Sequence, residues 1–147
     1  MKKILITIIL ILLLTGCGGT MNTEIPKGYT SKTEYYDKEG IQDNTDYAKY
    51  VYDKVIVEND DNYTKVSKDD IENIKSYFNN FKDVMESLER LNEYDFDVNS
   101  ITENDYVRIV TKEGTPIGDS TYGKFDNYSI FLFDSETLTL YYIHNNI

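Results

Sequence analysis

Cysteine, histidine and tryptophan are almost missing from these 147 residues, which hold one Cys, one His and no Trp. A lone Cys excludes an internal disulfide framework and any zinc site built from several cysteines. A single His leaves no HxxxH or HExxH pairing, so His144 reads as a structural or surface residue rather than a metal ligand. Bases are scarce too: 15 Lys and Arg face 26 Asp and Glu, a net charge of −11, which disfavours nucleic-acid binding through phosphate neutralisation. No stretch reaches 18 apolar residues, so no membrane span is predicted. What is present suffices for one folded domain. Hydrophobic residues make up 40% and aromatics 14%, with 14 Tyr, enough to build a core and to exclude wholesale disorder.

The longest apolar run stands at the start, in MKKILITIILILLLTGC. Lys2 and Lys3 form a charged region, Ile4–Leu14 an apolar one, and Thr15-Gly16 the small residues before a cut, in the order of a secretory signal. Eleven residues of helix cover roughly 16 Å, about half of a hydrocarbon core. Leu14-Thr15-Gly16-Cys17 resembles the lipobox of bacterial lipoproteins. That resemblance implies a diacylglyceryl group on the Cys17 thiol, cleavage before Cys17, and a protein held at the cell membrane on its extracytoplasmic side. Two acyl chains at about 0.8 kcal/mol per buried CH₂ make a stable anchor. Residues 1–16 are then signal peptide, 17–32 the lipidated Cys and a flexible tether, and 33–147 a single domain. Cleavage removes two bases and no acid, taking the net charge from −11 to −13. An anionic bilayer repels such a body, so the lipid must do the anchoring.

Within the domain, Tyr50–Glu58 is β-branched and aromatic and ends in Asn59-Asp60-Asp61-Asn62, which predicts a strand and a turn. Ser67 with Asp70 resembles a capping box, and Ile71, Ile74, Phe78, Phe81, Met85 and Leu88 recur at helical spacing. They predict a helix over Lys68–Leu91, 24 residues or about 36 Å long. Tyr106–Lys112, Phe125–Asp134 and Leu138–His144 read as three closing strands, the last two a hairpin about Asp134–Thr137. The expected architecture is α+β, one long amphipathic helix packed on a mainly antiparallel sheet of about four strands. Its element order looks like cystatin-like or NTF2-like domains, an analogy of fold alone.

Pairing Phe131 with Leu140 sets the hairpin register, which opposes Ile130 to Tyr141, Tyr128 to Ile143 and His144 to Asn127. Both faces come out apolar, so one helix leaves a face to be covered. Residues 33–49, with Tyr35, Tyr36 and Tyr47, are the expected cover. Left open, the face with Tyr128, Ile130, Tyr141 and Ile143 is the candidate binding surface, since tyrosine gives large contact area at low entropy cost.

The remaining constellations are thin. Gly118-Asp119-Ser120-Thr121-Tyr122 approaches a nucleophile elbow, but Tyr122 replaces the last Gly and the segment joins two strands. Asp95, Asp97 and Asn99 occupy positions 1, 3 and 5 of an EF-hand loop, whereas Ser100 and Tyr106 replace its Gly and Glu. No phosphate loop or dinucleotide fingerprint occurs, and neither a catalytic residue nor a cofactor is expected. The body, in its Asn/Lys/Tyr/Ile-rich composition and its segments Phe125–Tyr128 and Tyr141–His144, resembles uncharacterised lipoproteins of low-G+C Gram-positive bacteria. The expected function is a non-enzymatic, lipid-anchored extracytoplasmic module that binds a protein of the cell envelope. An immunity or inhibitor type would suit the acidic charge, which steers a basic partner. The alternative is a small-ligand accessory lipoprotein with a pocket lined by Phe78, Phe81, Phe131 and Tyr142.

Overall fold

The structure is a computed structural model and describes residues 25–36, 44–111 and 125–146. Among the described residues the strands are β1 (Ser31–Tyr35), β2 (Asn44–Val51), β3 (Thr64–Lys65), β4 (Tyr106–Thr111), β5 (Asn127–Asp134) and β6 (Thr139–Asn146), with one α-helix, α1 (Ile71–Ser87). The strands form a single antiparallel sheet in the order β1-β2-β6-β5-β4-β3. This corrects the expected architecture: the sheet has six strands rather than about four, and the helix runs 17 residues rather than 24.

The shorter helix has a local cause at each end. Ser67 and Asp70 do meet, hydroxyl donating to carboxylate, yet Asp70 gives no side-chain bond to the helix backbone. Its N–H bonds the Ser67 carbonyl in a turn, and the helix begins at Ile71. At the other end Glu89 adopts the left-handed conformation, φ 58°. The Glu89 N–H then reaches the Glu86 carbonyl and the Arg90 N–H the Met85 carbonyl, the paired bonds of a Schellman stop. By Phe81 the helix has already reached Tyr47 on β2, next to the outermost strand.

α1 lays Ile74, Tyr77, Phe78, Phe81 and Met85 on one face of the sheet, against Tyr47, Tyr128, Ile130, Leu132 and Ile143. Tyr94, Phe96 and Ile101 of the segment after the helix complete this layer. The opposite face carries Ala48, Tyr50, Phe131, Phe133, Leu140 and Tyr142. It is covered by Tyr52, Val57 and Tyr63 of the β2–β3 connection, with Ile25 packed beside them. The strand expected over Tyr50–Glu58 therefore ends at Val51, and the chain beyond it crosses beneath the sheet without regular structure. A turn at Asp60, whose carbonyl accepts the Tyr63 N–H at 2.9 Å, lifts the chain into β3.

Residues 44–49, expected to lie over the sheet, instead form most of β2 inside it. Their polarity misleads because hydrogen bonds satisfy it. Thr45 donates to the Asn145 side chain at 3.1 Å, and Arg90 donates to the Thr45 carbonyl at 3.1 Å. Residues 25–32, expected within the tether, are likewise docked. The Tyr52 hydroxyl donates to the Pro26 carbonyl at 2.7 Å, and Ser31 and Lys32 belong to β1.

The hairpin forms with its register moved by two residues, pairing Phe131 with Tyr142, Ile130 with Ile143 and Ser129 with His144. Asp134 stays in the strand, and its carboxylate accepts the Glu136 and Thr137 N–H groups at 2.9 and 3.0 Å. Leu138 joins the loop in the left-handed conformation, φ 55°. Because side chains alternate with period two, a two-residue shift leaves every residue on its expected face.

Candidate functional site

Of the residues singled out from the sequence, Cys17 and Ser120 lie outside the described residues. Tyr128, Ile130 and Ile143 are fully buried under α1, and Tyr141 is half-buried with its ring 4.6 Å from that of Phe96. These four form the floor of the helix-side core, not an open surface, because α1 packs on their face rather than on that of Phe131 and Tyr142. The ligand pocket imagined between Phe78, Phe81, Phe131 and Tyr142 meets the same geometry. Its first two residues lie on one side of the sheet and its last two on the other.

His144 is buried on the face opposite α1, in a row with Ser129 of β5 and Asp46 of β2. Its Nδ1 lies 2.9 Å from Ser129 Oγ and 3.0 Å from the Tyr128 carbonyl, and its Nε2 lies 3.2 Å from Asn44 Oδ1. Burial pulls the imidazole below its ordinary pKa, against the opposing pull of Asp46 and the Tyr128 carbonyl. The ring serves as a cross-strand tie from β6 to Ser129 and the Tyr128 carbonyl of β5 and to Asn44 of β2.

The EF-hand-like acids have other work. Asp97 accepts the Asn99 N–H at 2.9 Å in a tight turn, and Asp95 accepts the Tyr47 hydroxyl at 2.6 Å and pairs with Lys49. Those bonds from Lys49 and Tyr47 hold Asp95 below the usual carboxylate range, although burial pushes the other way. Among the described residues no group of three or more His, Cys, Asp or Glu is placed to hold a metal.

Among the described residues the open aromatic surface lies at the β1 edge. Tyr29, Tyr35 and Tyr36 are 40%, 36% and 37% exposed, large for aromatic side chains. Each is braced from behind. Tyr29 sits 5.2 Å from the Tyr50 ring and 6.4 Å from that of Tyr52, while Tyr35 stacks on Tyr47 at 6.5 Å and 5°. The Tyr36 and Tyr50 hydroxyls are 2.9 Å apart, and both donate to Glu34, at 3.2 and 2.8 Å. Lys32 pairs with the other Glu34 oxygen at 2.6 Å. Burial works to raise the Glu34 pKa, but the hydrogen bonds from Lys32 and Tyr50 outweigh it and hold the carboxyl ionised below its ordinary range. Burial pushes the Tyr52 hydroxyl up to about 12 and raises Tyr36 and Tyr50 as well, so all three remain neutral donors near neutral pH. Aromatic faces held by a rigid backing lose little freedom on contact with a partner, which makes this edge the candidate site.

At the far edge a groove of about 320 Å³ lies between Thr64, Asp70, Asn73, Val107 and Arg108. Its lining mixes an acid, a base and an amide, which selects no ligand class. The β1 edge escaped sequence reading because Lys32 to Tyr36 shows neither a run of apolar residues nor a strong alternation. The Tyr35-Tyr36 pair among polar neighbours was its one legible signal. Compared with known proteins, the chain matches no family model, no curated protein and no solved structure.

Proposed function

We propose that the chain is a non-enzymatic protein-binding module, lipid-anchored through Cys17 on the extracytoplasmic side of the cell membrane. The observation that carries the binding half is the braced tyrosine edge, with Tyr29, Tyr35 and Tyr36 exposed over a rigid backing. Both sheet faces are packed, so recognition falls to edges and outer surfaces rather than to an internal cavity. The lipobox carries the anchoring half. In the immunity or inhibitor form of this reading, the charge of −13 left after cleavage draws a basic partner from the envelope. The packed core favours this over the small-ligand reading, whose pocket residues sit on opposite faces.

Two measurements test it. Palmitate labelling should mark the wild-type chain and be lost in Cys17→Ala, with release from the membrane fraction. A photo-crosslinking residue at Tyr36 should capture a protein in intact cells, whereas one at exposed Asn79 on α1 should not. Equal capture at both positions, or none at Tyr36, would remove the edge from the reading.

A further inference from the structure

The β1 edge has a charge pattern that reads the same from a second copy. Along Ser31-Lys32-Thr33-Glu34-Tyr35, Lys32 and Glu34 point to the face opposite α1, opposite Tyr50 and Ala48 of β2. Thr33 and Tyr35 point to the α1 face, opposite Lys49 and Tyr47. Laid antiparallel on itself about Thr33, this strand places Lys32 opposite the copy's Glu34 and Glu34 opposite the copy's Lys32. The two pairs form a ring of four alternating charges. A shift of two residues either way sets Lys32 against Lys32 or Glu34 against Glu34, and like charges directly opposite are destabilising. A shift of one brings the α1 face of one copy level with the back face of the other. Only the register centred on Thr33 satisfies both charge and face.

Resting on the reading of this edge as a protein interface, we propose that its occupant is a second copy of the chain. The two β1 strands pair antiparallel about Thr33 into a continuous two-fold sheet. Antiparallel pairing sets the two-fold axis perpendicular to the sheet, so both helices share one side. Ile25 and Tyr29 share the other side in both copies, since both side chains pack on the face opposite α1. The described chain thus begins on one side of the paired sheet in both copies, as two anchors in one bilayer require. Tyr29, Tyr35 and Tyr36 flank the seam and add apolar contact beyond the backbone bonds. Five residues per strand make a small interface, and a net charge of −13 per chain opposes it. Confinement to a membrane compensates by raising the effective concentration.

Single cysteines introduced into the full-length, membrane-anchored chain test the register, since lipidation consumes the Cys17 thiol. At the two-fold position, Thr33→Cys brings two Cα atoms about 5 Å apart, within disulfide range. Ser31→Cys leaves its two copies about 14 Å apart, beyond that range. On mild oxidation of cells, Thr33→Cys is expected to shift to a band at twice the chain's mass, while Ser31→Cys and the parent chain stay monomeric. Coexpressed Ser31→Cys and Tyr35→Cys chains, opposite each other in this register, should cross-link to each other. In the charge test, Lys32→Glu should lose the Thr33→Cys cross-link, and coexpression with Glu34→Lys should restore it as a mixed dimer. No cross-link from Thr33→Cys in chains that reach the membrane, or an equal one from Ser31→Cys, overturns the dimer. If the Tyr36 probe still captures a different protein, the interface reading stands and only the second copy falls. If the probe captures nothing, both fall.

Discussion

Val57→Ala perturbs a residue in irregular chain that is 1% exposed, on the face of the sheet away from the helix. Its comparison is Val110→Ala, the same chemical change in a regular strand at a position 37% exposed. Each substitution deletes two carbons. At Val57 the lost transfer free energy is about 1.6 kcal/mol, and the residual cavity under Phe133 and Leu140 brings the cost to about 2–3 kcal/mol. At Val110 the change reduces to strand preference and partial burial, about 1 kcal/mol or less. Against a typical stability of about 5–15 kcal/mol, the first is a large fraction and the second a small one. Urea unfolding followed by tyrosine fluorescence reads both, since the chain has 14 Tyr and no Trp to mask them. Equal slopes with urea would show that both variants unfold from the same state. If Val110→Ala costs as much as Val57→Ala, or Val57→Ala costs under about 0.5 kcal/mol, residues 52–63 do not seal the second face.

Acid should destabilise the domain in two stages. His144 is held below its ordinary value of 6.5 by burial, so the unfolded chain binds a proton first. The stability it contributes is complete above that value and is lost as pH falls towards the depressed one, and His144→Gln should flatten this part of a pH–stability curve. Glu34 and Asp95 are also depressed, so their contribution begins to fade only below 4.5 and 3.8. Glu89→Gly should stabilise by about 0.5–1 kcal/mol in thermal unfolding, because a left-handed conformation strains any side chain but costs glycine little. Asp105, 2% exposed, accepts N–H bonds from Thr102 at 2.7 Å and Ser135 at 3.0 Å, joining two turns far apart in sequence. Asp105→Ala should cost about 3 kcal/mol, measured by the same urea titration, by stranding both donors.

Legibility followed the source of each signal. The helical stripe was readable because Ile74, Phe78, Phe81 and Met85 repeat at the period of the helix and are all fully buried. The hairpin's faces were readable because alternation survives an error of register, and Phe131 and Ile130 remained on opposite faces through a two-residue slip. Four things were hidden. β2 was masked by Asn44, Thr45, Asp46 and Lys49, whose polarity is offset in part by hydrogen bonds to residues about a hundred positions away. Residues 52–58 carry a strand-like composition, but composition reports burial and not backbone bonding. The helix's end at Ser87 depends on a left-handed Glu89, which no propensity favours. The tyrosine edge was hidden for the related reason that only the sheet order makes β1 an edge.

That order puts β6 between β2 and β5, so the last of the six strands to be made is the one that joins the sheet's two halves. Until residues 139–146 exist and are free to pair, β1 with β2 and β3 with β4 and β5 are separate fragments, each with half of the hydrophobic seam exposed. Whatever withholds this strand withholds the keystone, and the chain upstream of it stays pliable. Assembly therefore waits for β6, as a zip waits for its slider, and a chain cut before Thr139 should fail as a whole rather than lose one edge.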